Sequence, residues 1–524
     1  MIHASLEKKG DATYICPEIS GMNPIMYEVI NADKLYEMIH ESTPIALNQV
    51  CVEGFSMTEY RNKYGLDKED IIEIKIDFFT DSIFCGKDGI AADFSWCKMV
   101  AADTVAGIML DDNIFYYGKV DFSYSDMGNV DFSMKGCQFI NCNIYFGHTV
   151  FGNKGIYFDK TVFSDEKCEV VFSGTDFGEE GEVTFDYMKG MNGSVEFYEC
   201  NFGVKPLSFA YMDCPKAQFS FWEVETSPMT VDFVDSAVRM ILMYKANVNG
   251  LLDFRISQAE HIVIQESVIR DCVLLGNQGY KNYTCYCLKK STLLGRLTIQ
   301  NKFSKHLFHK QLQYAYDPNQ DEIVLCPTSA TDKANQLIIL SENYQSEGES
   351  DNADAAYVLS KRYRSTGRVH DVWTDYTAVG RNSEYSDSII KKLWAYFTIT
   401  IRLLGASIAW VFEKLFLDIL CGNYATKPSR FLFWILGCVT GFAWIYSYCI
   451  GINATNFQIE GTLYQTMDTW NTAWIYSLQV FLQIESGDLV PKILSAYYLM
   501  VAEKIIGLSM FSVFVVSYTR KVIK

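Results

Sequence analysis

The chain has 524 residues, with 45 Lys/Arg against 63 Asp/Glu, a net charge of −18. Residues 391–524 carry 11 Lys/Arg and 7 Asp/Glu, which leaves 34 against 56, a net −22, on the first 390. So acidic a first part repels phosphate backbones, which argues against a nucleic-acid partner. It favours a soluble domain that modestly enriches cations around it.

In chain order, Met1-Ile2-His3-Ala4-Ser5-Leu6-Glu7-Lys8-Lys9 opens no apolar run, so no secretory signal is expected there. Residues 1–70 read as a cap region. The sixteen cysteines are scattered, several at apolar positions such as Cys137, Cys142, Cys200 and Cys214. They are expected as free, buried thiols of a reducing cytosol. Cys285-Tyr286-Cys287 and His306-Leu307-Phe308-His309 have metal-like spacing, but neither has a second pair nearby. No metal or cofactor is therefore expected.

Residues 71–300 read as a β-solenoid. Phenylalanines stand at Phe146, Phe158, Phe172, Phe185, Phe197, Phe209, Phe221 and Phe233, at steps of 12, 14, 13, 12, 12, 12 and 12. A short strand–turn unit cannot bury an aromatic face alone, so successive units are expected to stack each Phe on the one below. Gly152-Asn153-Lys154-Gly155 and Gly178-Glu179-Glu180-Gly181 supply turns between units. A second apolar residue often stands five positions later, as at Phe151, Phe163, Phe177 and Phe202. This offset resembles pentapeptide-repeat proteins, as do Ala92-Asp93-Phe94-Ser95-Trp96, Val120-Asp121-Phe122-Ser123-Tyr124 and Val130-Asp131-Phe132-Ser133-Met134.

Residues 301–390 read as a linker and a helical hairpin. One helix covers Ala334 to Tyr344, Ser346-Glu347-Gly348-Glu349 breaks it, and Ser350 or Asp351 caps a second. Leu393 to Phe412 has Arg402 as its only charge. Residues 391–420 are read as an interfacial amphipathic helix on the membrane. Spanning is the open alternative, but it would put Lys391/Lys392 and Lys427/Arg430 on opposite sides.

Residues 421–524 read as a two-helix pore domain. Phe431 to Ile452 holds 22 residues without a charge, and a second apolar helix runs from about Ile493 to Thr519, before Arg520 and Lys521. Residues 451–491 lack Lys and Arg, so both helix ends are assigned to the cytosol, with the N-terminal domain, and the acidic loop to the outside. Within that loop Trp470 to Ile484 is apolar but too short to span, as expected of a re-entrant pore helix. The loop then continues as Glu485-Ser486-Gly487-Asp488-Leu489-Val490-Pro491.

Aligned on Gly487, Asp488 and Pro491, this stretch resembles the pore of two-helix potassium channels, whose filter reads Thr-Thr-Val-Gly-Tyr-Gly-Asp before a proline. Ala502-Glu503-Lys504-Ile505-Ile506-Gly507 is similar to the family's inner helix. Cys421-Gly422-Asn423-Tyr424 and Pro428-Ser429-Arg430 resemble bacterial members fused to pentapeptide repeats. The resemblance implies a homotetramer whose filter is Gln483, Ile484, Glu485, Ser486, Gly487 and Asp488. The filter departs from the family: Gln483, Glu485 and Ser486 replace a threonine, a glycine and a tyrosine. A left-handed backbone at Glu485 would cost about 1–2 kcal/mol, so a ring of Glu485 carboxylates is expected instead of a full carbonyl ladder. The alternative is a Glu485 turned away behind the pore. Gln-Ile-Glu-Ser is also faintly similar to the Thr-Leu-Glu-Ser filter of bacterial sodium channels.

On the inner helix, Gly507 is either a bend that opens the mouth at Phe514 and Tyr518 or a close-packing site. Glu503 and Lys504 are charged at membrane depth, and Glu503 is expected to hold a partner near the pore helix. The resulting reading is multidomain: a β-solenoid, a helical hairpin and an α-helical transmembrane pore module, forming a weakly selective cation channel. Its partners are monovalent and divalent cations, the lipid membrane, and an unknown ligand of the solenoid. The competing reading is a non-conducting, membrane-anchored scaffold whose solenoid binds a protein. No nucleophile–base pair or phosphate loop points to an enzyme.

Overall fold

The computed structural model describes residues 4–9, 12–17, 26–164, 167–226, 230–277, 284–301, 311–320, 323–379, 389–420, 424, 426, 428–460, 467–484 and 489–522. The chain divides into two compact units, Met1–Thr328 and Ser329–Lys524.

The first unit is a parallel β-solenoid of about 11 turns. Its described strands line up in a 16-stranded and a nine-stranded sheet, with smaller three- and four-stranded sheets. Phe172 stands opposite Phe197, and Phe197 opposite Phe221, in adjacent coils. One coil is therefore 24 or 25 residues long here, and the 12-residue beat is half a coil. Successive phenylalanines do not lie on one another. Every second one does: Phe146, Phe172, Phe197 and Phe221 form one stack with centroids 4.7, 5.0 and 4.9 Å apart. Phe158, Phe185, Phe209 and Phe233 form a second, at 4.7, 4.9 and 4.6 Å. The two columns meet edge to face, as in Phe146 against Phe158 at 5.6 Å. That geometry places positive ring edges on negative ring faces.

Coil corners are made by non-glycine residues in the left-handed region: Trp96, Tyr124, His148, Glu199, Glu223, Lys245 and Glu266. Such a backbone costs about 1–2 kcal/mol per residue. It is offset by stacking, because each of these N–H groups donates to a carbonyl of the next coil, as in Tyr124 to Gly147 and Glu223 to Tyr244. Side chains keep to the same column: the rings of Trp96 and Tyr124 stack at 4.4 Å, and Glu223 pairs with Lys245 at 2.6 Å.

The parallel ladder already includes Tyr27–Asn31 and Val50–Glu53, within the segment expected as a cap. Ahead of it the antiparallel hairpin Ala4–Lys9 and Ala12–Pro17 pairs onto Tyr27 and covers the open edge. The helices α1 (Ala32–His40) and α2 (Met57–Tyr64) are capped by Asn31 and Ser56. At the other end the hairpin Tyr314–Tyr316 and Leu325–Pro327 covers the outer face over Leu242, Val263 and Cys287. The Gln265 carboxamide clips it by donating to the Tyr316 carbonyl at 3.0 Å and accepting from the Tyr316 N–H at 3.1 Å.

The expected buried thiols are present: Cys137, Cys142, Cys200 and Cys214 are all within the solenoid core. Desolvation pushes Cys142, Cys200 and Cys214 up to about 12, so they stay neutral and inert.

The second unit is helical. α3 (Ala330–Ser346) is capped by Ser329, and Gly348, at φ 75°, turns the chain into α4 (Ser350–Val379). This is the expected hairpin, with a longer second arm. α5 (Ile389–Phe412) continues into a π-helical segment, Glu413–Leu420. α6 (Pro428–Trp444) is extended by π-helical Ile445–Ile450, then come α7 (Thr469–Phe481) and α8 (Leu494–Val522). Among the described residues three helical stretches are long and apolar enough to cross a membrane: Leu393–Leu415, Ser429–Ile450 and Leu494–Thr519.

Candidate functional site

The site is the junction of α6, α7 and α8. α7 is apolar because it is buried against both neighbours: Thr472, Ala473, Tyr476, Ser477, Val480 and Phe481 recur at helical spacing on its inner face. Asp468 starts it by accepting from the Asn471 N–H at 3.2 Å. Tyr446, Phe457, Tyr476 and Leu489 are fully buried around it. The strand Phe457–Ile459 pairs antiparallel with Leu489–Pro491, so the chain on either side of α7 is tied together.

The end of α7 is a defined reversal. Gln483 is left-handed at φ 63°, its N–H donates to Val480, and the Ile484 N–H donates to Gln479 at 2.9 Å. This is the Schellman arrangement, in which glycine is usual at the left-handed position. Gln483 has a compensating contact: its side-chain Nε2 donates to the Lys504 carbonyl of α8 at 2.8 Å. Expected as a filter residue, Gln483 thus has its side chain turned back onto α8. Ile484 is exposed beyond it. The remaining expected filter residues, Glu485, Ser486, Gly487 and Asp488, lie outside the described residues.

α8 meets α7 through Glu503 and Gly507, one helical turn apart, and the buried Ala496 packs in the same core two turns earlier. Gly507 is there because nothing larger fits. A Cβ on it would sit 2.4 Å from the Phe481 carbonyl oxygen and 3.1 Å from its carbon. Of the two roles considered for Gly507, close packing has a direct structural cause.

Glu503 has the expected partner. It is completely buried, and it meets the Ser477 hydroxyl of α7 at 2.5 Å. That hydroxyl also lies 2.9 Å from the Val439 carbonyl of α6, so one serine links all three helices. The Tyr446 side chain flanks the same carboxylate. Lys504 is half-buried beside it, while Phe514 and Tyr518 stack at 6.1 Å near the end of α8, with Tyr518 exposed.

Sequence reasoning missed Ser477. A small hydroxyl on the buried face of an apolar helix, shared with Thr472, is its only signal, and its partner is 26 positions away. It also missed Asp418, which is buried between Arg362 of α4 at 2.7 Å and Lys414 at 2.8 Å. Burial alone would raise the Asp418 carboxyl, but the two cations outweigh it and hold it below its ordinary value. Arg368 of α4 pairs with Glu413 in the same seam.

Among the described residues no group of three or more His, Cys, Asp or Glu could hold a metal ion. Cys285 and Cys287 stand on a coil strand, and His306 and His309 lie outside the described residues. No family model, curated protein or solved structure matches the chain.

Proposed function

We propose that this chain is one subunit of a tetrameric pore-loop cation channel, with the acidic solenoid as its cytosolic sensor or assembly domain. The observation that carries the reading is α7. At 13 residues it is about 20 Å long, against about 30 Å of hydrocarbon, yet it is buried between two helices of spanning length. A half-length helix at that depth ends in irregular backbone, which lipid does not tolerate and a pore does. One such segment cannot enclose an axis, and four can. The carbonyl end of α7 carries partial negative charge toward Gln483 and Ile484, which favours a cation there.

α5 is proposed to lie on the membrane surface. Its inner face rests on α4, with Tyr396 against Tyr376 at 5.1 Å, and α4 carries Arg364, Arg368, Asp371 and Asp375 along that stretch. A spanning α5 would carry those charges into hydrocarbon. Its other face exposes Leu393, Phe397, Ile401, Leu404 and Ile408, a stripe suited to the acyl boundary.

With Glu485 in place of a filter glycine, the ring of carboxylates admits Na⁺ as well as K⁺. The test is single-channel recording of the purified chain under mixed Na⁺ and K⁺. Comparable permeabilities, conductance that falls at acid pH, and loss of cation preference in Glu485→Gln are expected. Strong K⁺ selectivity overturns the carboxylate-ring account, and a silent, monomeric chain overturns the channel itself.

A further inference from the structure

The solenoid carries a cleft of about 440 Å³ on the outer face of its large sheet. Its lining is unlike the rest of the domain. Four groups that donate hydrogen bonds, Lys119, Lys167, Asn141 and Asn143, line it together with Tyr117 and Tyr145, and none of its described lining residues is a carboxylate. This occurs in a domain whose net charge is strongly negative.

The fold builds the space. The floor is backbone at Gly89 and Gly118, which approach so closely that a Cβ on Gly118 would sit 2.6 Å from the Gly89 carbonyl. Tyr117 and Asn141 are left-handed, at φ 60° and 55°, which bends the strand Ile114–Asp121 and its neighbour and makes the face concave. Lys119 lies opposite Asn143 in the next coil, and Lys167 opens the coil after that.

The Asn143 orientation is set by its partner. Asn143 Oδ1 accepts from the Glu169 backbone N–H at 3.0 Å, a group that can only donate. Asn141 Oδ1 accepts from Ser164 Oγ at 3.1 Å. The Asn143 NH₂ is therefore left as a donor, and Asn141, which meets a hydroxyl able to donate or accept, keeps at least one amide N–H in either orientation. Lys119 is held at 4.8 Å over the Tyr145 ring and paired with Asp121 at 2.5 Å, and Lys167 is paired with Glu169 at 3.2 Å. Each ammonium carries three protons, so each keeps donors beyond its pair.

We infer that this cleft binds a small organic phosphate, with the phosphate between Lys119 and Lys167 and the Asn141 and Asn143 amides on its oxygens. Two ammonium and two amide donors match a dianion with three free oxygens, whereas a single carboxylate would leave donors unpaired. The volume falls in the range of small-molecule sites. Binding here does not require the helical unit to conduct, so a silent pore leaves this inference standing.

The test is isothermal titration calorimetry of the full chain in nanodiscs at low salt, with AMP, glucose 6-phosphate, citrate and inorganic phosphate as separate probes. Saturable binding of one equivalent of a phosphate ester is expected, with citrate weaker. Lys119→Gln/Lys167→Gln should weaken it by roughly tenfold or more, the equivalent of one charge-assisted hydrogen bond. Asn143→Asp keeps the bond from Glu169 and places a carboxylate in the cleft, so it should abolish binding while leaving the unfolding midpoint in place. No heat with either ester, or unaltered affinity in Asn143→Asp, overturns the inference.

Discussion

Gly507→Ala separates packing from bending at the α7–α8 contact. The added methyl would lie 2.4 Å from the Phe481 carbonyl oxygen, where ordinary contact begins near 3.4 Å. The neighbour is backbone and cannot rotate away, so α7 must move by about 1 Å or the helices must part. Overpacking of this kind costs about 1–3 kcal/mol. Alanine returns about 1 kcal/mol of helix propensity, so the net change runs from near zero to a loss of about 2 kcal/mol. Gly437 and Gly441 of α6 provide internal controls, because a Cβ on either meets nothing within 4 Å inside the subunit. Thermal unfolding in detergent should rank Gly507→Ala below Gly441→Ala. Because Phe481 is two residues before Gln483, the proposed channel should change in single-channel conductance as well as in open probability. A Gly507→Ala protein as stable as Gly441→Ala, with only its gating altered, would refute the packing argument and restore the bend.

Ser477→Ala removes the hydroxyl shared by Glu503 and Val439 and should cost about 1–3 kcal/mol, because the buried Glu503 loses one of its two hydroxyl neighbours; Glu503→Gln, which keeps a polar group there, should lose less, as read by thermal unfolding of the membrane-embedded protein. The Asp418 carboxyl is held down in the folded state, so its stabilisation is present above the ordinary carboxylate range and is lost as the pH falls through the lowered value. The thermal unfolding midpoint should therefore lose this contribution only below the ordinary carboxylate range, and Asp418→Asn should remove that part of the acid dependence. Lys205 is buried in the solenoid and donates to the Gly152 and Lys154 carbonyls at 2.8 and 2.9 Å, and burial lowers it to about 8. The unfolded chain then binds the extra proton between that value and the ordinary lysine value, so solenoid stability should rise with pH across that window. Urea denaturation at pH 7.5 and 10 checks this, and an equal rise in Lys205→Met would refute it.

Much of the architecture is visible in the order of residues because its causes are local. The helix break at Gly348, the apolar runs around Phe431 and Leu494, and the shortness of the Trp470–Ile484 segment all arise from chain chemistry read in sequence. The phenylalanine period announces a solenoid for the same reason. It does not say that the true coil is two beats long. Edge-to-face packing between Phe146 and Phe158 and face stacking between Phe146 and Phe172 satisfy the same spacing. Only coil closure chooses between them. The role of Gly507 is equally open in sequence, since a bend and a close contact both call for glycine, and the Phe481 carbonyl against it decides for contact. Glu503 with Ser477, Asp418 with Arg362, and the donors around Asn143 are meetings of residues far apart in sequence. A charge at membrane depth states that a partner is required. Which partner it finds depends on how three helices pack, because desolvation penalises any arrangement that leaves the charge alone and is indifferent to the number of residues between the two groups.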